Sequence, residues 1–204
     1  MTFIGGRVIP GFLFSLVTLS NLTSAVQSSG AALAYRVMAT LIWALFAVLV
    51  LRRPQAIVRN RSIVAVAAAL VSCVVTLPLG MATPIEPGFR LAVADILLLG
   101  GAMFSLYTLL VLGRCFSLLA DARALVTKGP YQLVRHPLYL GELTAMLGFA
   151  LGAKQLLITM AAWIAMATVQ AVRAHHEERA LAMAFPEYRA YTNAVPYRII
   201  PGIF

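Results

Sequence analysis

Residues 91–112 read LAVADILLLGGAMFSLYTLLVL, and this stretch decides the fold. Its one charge, Asp95, lies near the start. A helix rises about 1.5 Å per residue, so a run of this length reaches across the ~30 Å of hydrocarbon in a bilayer. Spanning backbone has to satisfy its own hydrogen bonds, which makes the run a transmembrane helix. Similar runs precede it at 8–26, 32–51 and 63–81, and two follow at 138–152 and 155–172. The fifth is short, and only Gly152, Ala153 and Lys154 part it from the sixth, so the pair reads as a helical hairpin. The expectation is an all-α polytopic membrane protein with six helices. The run at 8–26 is read as a retained helix, because it is long enough to span and lacks a small-x-small cleavage site.

Composition agrees. Of 204 residues, 61% are hydrophobic and 11% charged, whereas soluble domains carry about 25% charged residues. So few charges cannot cover a water-soluble surface, and disordered, collagen-like and nucleic-acid-binding classes are excluded with it. The net charge of +9 therefore reads against a bilayer, where basic residues collect on the cytoplasmic side. With six helices and a cytoplasmic N-terminus, that side holds Arg7; Arg52, Arg53, Arg59 and Arg61; Arg114, Arg123, Lys128 and Arg135; and Arg173, Arg179, Arg189 and Arg198. Of the 16 basic residues, only Arg36, Arg90 and Lys154 fall opposite. Both termini are thus expected to be cytoplasmic. The two cysteines, Cys73 and Cys115, suggest neither a disulfide framework nor a metal site.

Chemistry is concentrated late in the chain. Residues 1–113 supply four spans and few reactive groups, while 114–204 hold every histidine and form the expected catalytic region of one integrated domain. Leu118, Leu119, Ala122, Leu125 and Val126 share one face if 115–128 is an interfacial helix. A polar helix is expected from Arg173 to about Phe185, with Pro186 ending it.

The densest segment runs from Gly129-Pro130-Tyr131 through Arg135-His136-Pro137-Leu138-Tyr139 to Glu142. Gly129-Pro130 is a turn, and Pro137 suits the first turn of the fifth helix. His136 then stands where free backbone N–H groups and the helix dipole attract anions. A belt of interfacial Arg and Tyr is the bland reading, but Arg-His-Pro at a helix start exceeds what a belt requires. Glu142 is an acid one turn into a span, costly there unless it reaches interfacial water or serves a function. Asp95 is expected to be solvated or paired with Arg90. The second cluster is Arg173-Ala-His175-His176-Glu177-Glu178-Arg179. Arg173 and Glu177 lie four apart on one helix face. The cluster reads as an ion pair of Arg173 and Glu177 on a solvated face, as a metal site of His175, His176 and Glu178, or as a carboxylate that binds a cationic or ribose-bearing cofactor. Adjacent histidines point their rings apart, which disfavours metal. No dinucleotide fingerprint, phosphate loop, nucleophile elbow or haem motif occurs.

Leu125-Val126-Thr127-Lys128-Gly129-Pro130-Tyr131, Arg135-His136-Pro137-Leu138-Tyr139, Glu177-Glu178, Phe185-Pro186-Glu187-Tyr188 with Tyr191, and the run from Val195 to Pro201 resemble the isoprenylcysteine carboxyl methyltransferase family. It is grouped with the membrane phospholipid methyltransferases that use S-adenosylmethionine. The resemblance implies an all-helical enzyme whose cofactor pocket is made by helix ends and the C-terminal segment. It implies cofactor binding by Leu125, Val126, Tyr131, His136, Pro137, Leu138, Tyr139 and Glu177. It also implies that Arg173 meets the substrate, with Arg135 near the reacting groups. The acceptor it implies is lipophilic and enters from the bilayer, such as the carboxylate of an isoprenylcysteine-like substrate. Phe185-Pro186-Glu187-Tyr188 lacks the family's glycine and is one residue shorter, and Phe116 stands where the eukaryotic enzymes carry glutamine. Both departures bear on the substrate more than on the cofactor. The tail also resembles membrane sterol reductases, which implies NADPH as the alternative cofactor. A non-catalytic scaffold is the third possibility, and the oligomeric state is left open.

Overall fold

The computed structural model describes residues 5–26, 30–52, 54–58, 63–64, 67–68, 71, 84–116 and 121–203. Among these residues the structure is helical, with two isolated bridges and no strands. Helix α1 (Gly5–Val26) and α2 (Gly30–Arg52) fall on the first two apolar runs. Helix α3 (Phe89–Leu112), α4 (Pro137–Leu151) and α5 (Leu156–Ala184) fall on the fourth, fifth and sixth. A short α6 (Tyr188–Ala194) follows. The third run, 63–81, lies almost wholly outside the described residues, as do Arg53, Arg59, Arg61, Cys73, Leu118 and Leu119. Two helices, Phe89–Cys115 and Leu156–Ala184, are long and apolar enough to cross a membrane, and Gly11–Val26 and Pro137–Leu151 are shorter apolar helices.

Each boundary has a local cause. Pro137 opens α4 at a position whose N–H would be unbonded anyway. No Gly or Pro interrupts 156–184, so α5 continues unbroken from its apolar part into the expected polar helix. Its 29 residues extend about 43 Å, more than the hydrocarbon needs. It ends at Ala184, with Phe185 extended before Pro186.

Helices α3 and α4 approach closely because both carry glycine at the contact. A Cβ at Gly148 would collide with the Leu98 backbone, and one at Gly101 with that of Ala145. Small residues matter in this way where apolar surroundings give helices little hydrophobic reason to associate. Helices α1 and α2 pack through Phe14, Trp43 and Phe46, and Phe46 stacks on Phe116 at 4.5 Å. The α4–α5 hairpin is tied by Trp163 Nε1 donating to the Leu143 carbonyl (2.8 Å) and Thr159 Oγ1 donating to that of Ala150 (3.0 Å).

Two expectations are corrected. No interfacial helix spans 115–128: Gly113–Cys115 is a 3₁₀ turn, and the chain is non-helical from Asp121 to Lys128. The backbone of Ala122 bonds instead to Val58 in an antiparallel bridge, and Ala122 is completely buried. Of the residues expected on one helix face, Ala122, Leu125 and Val126 thus turn toward the protein interior. Asp95 is expected solvated or paired with Arg90, and of these the pairing is not seen: Arg90 donates Nε to the Leu151 carbonyl (2.8 Å) and Nη2 to that of Ala153 (2.9 Å). It thereby satisfies carbonyls that the end of α4 leaves unbonded.

Candidate active site

The site forms where the start of α4, the second half of α5 and the C-terminal segment meet. Gly129, at φ 59°, turns the chain into the 3₁₀ element Gly129–Gln132, which buries Tyr131. The loop after it runs alongside the C-terminal segment: Arg135 N–H donates to the Tyr197 carbonyl (2.9 Å) and His136 N–H to that of Arg198 (2.7 Å). The Tyr191 hydroxyl donates to the Tyr131 carbonyl at 2.7 Å. Burial pushes the Tyr191 phenol up to about 12, so it stays protonated as a donor.

His136 is buried, with its ring stacked on Tyr139 at 5.4 Å and an interplanar angle of 4°. Nδ1 lies 3.5 Å from Glu177 Oε2, and Nε2 lies 3.4 Å from Glu178 Oε1 without a hydrogen-bond partner. Burial by itself would lower the imidazole pKa, but the two carboxylates outweigh it and hold His136 above its usual value. The Tyr139 hydroxyl donates to Glu177 Oε1. Arg173 places its guanidinium carbon 5.1 Å from the centre of the Tyr139 ring, within cation–π range.

Glu178 points the other way from Glu177. It accepts from Arg135 Nε at 2.7 Å and from Arg198 Nε at 2.9 Å. Arg135 also donates Nη1 to the carbonyls of Val195 (2.9 Å) and Pro196 (2.8 Å). Arg135, expected near the reacting groups, therefore also clamps the C-terminal segment onto α5.

Above the cluster lies a cavity of about 1100 Å³. Leu125, Val126, Tyr131, Arg135, His136, Leu138, Tyr139, Arg173 and Glu177 all line it. Of the residues expected to bind the cofactor or meet the substrate, Pro137 alone stands behind the wall, fully buried at the start of α4. His175 and His176 sit between Arg173 and Glu177 on α5 without lining the cavity, their rings 5.7 Å apart. Among the described residues no group of three or more His, Cys, Asp or Glu comes close enough to hold a metal ion.

Two participants were not singled out. Gln170 is completely buried; it donates Nε2 to Glu142 Oε2 at 2.5 Å, and its Oε1 accepts from Arg173 Nη1 at 3.5 Å. Its signal was available, since it is a long amide in an apolar run, three residues before Arg173. Arg198 as a partner of Glu178 had no such signal, because only tertiary contact brings them together.

Apolar helices long enough to span, enclosing a cavity that ends in a charged cluster, define a helical membrane protein with an internal polar site. Residues 89–188, just under half of the chain, match the phospholipid methyltransferase family model. The chain is also 40% identical over 72 residues to the cobalt-zinc-cadmium resistance protein CzcN of Cupriavidus metallidurans, which is 35% of this chain and 33% of the relative. The chain thus spans about a third of the length of the curated relative it matches. Of the two enzyme resemblances in the sequence, the family match falls on the methyltransferase one.

Proposed function

We propose that this protein is an integral membrane methyltransferase that takes its methyl group from S-adenosylmethionine and passes it to a lipophilic acceptor entering from the bilayer. The observation that carries this reading is the convergence of Leu125, Tyr131, His136, Tyr139, Arg173 and Glu177 on one cavity from three separate stretches of chain. Its volume, about 1100 Å³, exceeds the ~300–1,000 Å³ of ordinary small-molecule sites, leaving room for a donor and an apolar acceptor together. The donor set suits the cofactor. Glu177 and the Tyr139 ring offer a carboxylate and an aromatic face to a cation. Nε2 of buried His136 makes no hydrogen bond, only the 3.4 Å ionic contact with Glu178, and is a polar atom that a ligand can complete.

Bound S-adenosylmethionine supplies an electrophilic methyl on a sulfonium. The protein's task is then alignment and exclusion of water. Glu177 holds the cationic donor, with Tyr139 and His136 fixing its carboxylate. The Arg135–Glu178–Arg198 clamp keeps the C-terminal segment against the site. Arg173 faces the acceptor. Two acceptor chemistries suit an arginine there: a carboxylate, already ionised at neutral pH, and a protic group, which needs a base. The basic bias of the chain supports placing this site and both termini on the cytoplasmic face.

Calorimetric titration of detergent-purified protein with S-adenosylmethionine, its demethylated product and NADPH tests the reading. The first two should bind. Glu177→Ala and His136→Ala should each weaken binding about tenfold, because a lost charged hydrogen bond costs about 1.5–3 kcal/mol. Arg173→Ala should lower turnover more than donor affinity, and Arg173→Lys should restore only part, since a point charge cannot replace a planar fork. Binding of NADPH in place of the methyl donor overturns the proposal.

A further inference from the structure

The cavity continues past the donor cluster along α4, and its next polar group is Glu142. It sits one turn beyond Tyr139 on the same helix, three residues on, so the two share a face. A carboxylate in a helix otherwise reading PLYLG-LTAMLGFAL is costly in an apolar surround, and such residues tend to be functional. The other acids of the cluster are engaged with phenol or cations: Glu177 by Tyr139 and His136, Glu178 by Arg135 and Arg198. The hydrogen bond to Glu142 comes instead from a neutral amide, Gln170 Nε2, on one oxygen only. Gln170 is itself oriented by the Arg173 contact on its Oε1. Across the helix contact, Ser105 of α3 also lines the cavity; its hydroxyl is buried, 3% exposed for the residue, and has no hydrogen-bond partner. A held carboxylate and an unsatisfied hydroxyl on one wall point to a polar group of a ligand at this depth.

We propose that Glu142 is a further catalytic residue, the base that takes the proton of a protic acceptor: an amine, thiol or hydroxyl on an apolar chain. The proposal rests on the methyltransferase reading above and chooses between its two acceptor chemistries. A carboxylate acceptor beside Glu142 would meet a like charge in a medium of low dielectric. A protic acceptor meets a base. As the Glu142 carboxylate takes the acceptor's proton, the freed lone pair of the acceptor bonds to the methyl carbon. The carbon–sulfur bond breaks with its electron pair staying on sulfur, so the cationic donor leaves as a neutral thioether. The proton remains on Glu142 until the methylated product departs. Arg173 and Glu177 from α5, Tyr139 from α4 and Tyr131 from the 3₁₀ element are charged or titratable groups facing this point.

The test uses the full chain in detergent micelles, with hexadecylamine, hexadecanethiol and hexadecanoate as probes of one chain length. Without methyl donor, the wild type should bind hexadecylamine more tightly than hexadecanoate, and Glu142→Gln should narrow or reverse that preference. With donor, labelled methyl should reach the amine or thiol and not hexadecanoate. Glu142→Gln should lower that transfer about 100-fold, with donor affinity within about twofold of wild type, and Glu142→Asp should restore part. Transfer to hexadecanoate that is indifferent to Glu142→Gln overturns the proposal, as does amine transfer unaffected by the substitution. Tighter wild-type binding of hexadecanoate than of hexadecylamine overturns it even if the variants do not fold. Loss of donor binding by the wild type itself instead refutes the methyltransferase reading.

Discussion

Replacing Glu178 by alanine should detach the C-terminal segment. The carboxylate accepts from Arg135 Nε at 2.7 Å and Arg198 Nε at 2.9 Å, and His136 Nε2 is 3.4 Å away. Side-chain exposure is 11% for Glu178 and 10% for Arg135, but 30% for Arg198. Removing one partner of a buried pair leaves a charge uncompensated and costs about 3–5 kcal/mol. Arg198 is wet enough that its own truncation should cost only about 1 kcal/mol. Glu178→Ala should therefore be the more damaging of the two, and the pair should couple in a double-mutant cycle by about 0.5–3 kcal/mol. The backbone bonds of 135 and 136 to the carbonyls of 197 and 198 depend on the same clamp. Unfolding midpoints in detergent give the energies, and limited proteolysis between residues 188 and 204 reports detachment. Equal, small losses for Glu178→Ala and Arg198→Ala, with unchanged protease resistance, would refute the clamp.

The raised pKa of His136 makes its charged form stabilising; that stabilisation is complete below the usual value of 6.5 and fades as pH rises through the raised one. Unfolding midpoints from acid to alkaline pH should fall more steeply for wild type than for His136→Gln, and parallel curves would show that the ring does not titrate there. Gly148→Ala should cost about 1–3 kcal/mol by forcing α3 from α4, whereas Gly100→Ala, whose Cβ meets nothing within 4 Å, should be neutral or stabilising by up to about 1 kcal/mol; thermal unfolding distinguishes them. Reporter fusions at residues 86 and 204 should report opposite sides of the membrane, with 204 cytoplasmic; the same side for both would remove the six-span arrangement.

Apolar runs marked the helices at 5–26, 30–52, 89–112, 137–151 and 156–184, because an apolar stretch without polar side chains to help it must bond its own backbone. Fixed-φ residues marked their limits: Pro137 opens α4 and Pro186 closes α5 from next to it. The residues around the cavity were also legible, since Arg-His-Pro at a helix start and Glu-Glu beyond an apolar run are combinations that a lipid-facing surface has no use for. Tertiary structure decided the rest. Periodicity drew 115–128 as a helix, but a bridge to Val58 satisfies the same backbone and sends Leu125 and Val126 to the cavity wall. A segment with two ways of meeting its hydrogen bonds is settled by what packs beside it. Arg135 and Glu178 are 43 positions apart, and Arg135 and Val195 are 60 apart. Ionic partners so distant share no spacing rule, so only the fold could turn Glu177 and Glu178, neighbours in sequence, toward the cavity and toward the clamp. Glu142 and Gln170 are joined in the same way across the α4–α5 hairpin, where the close packing of two helices makes one buried pair out of two isolated polar residues.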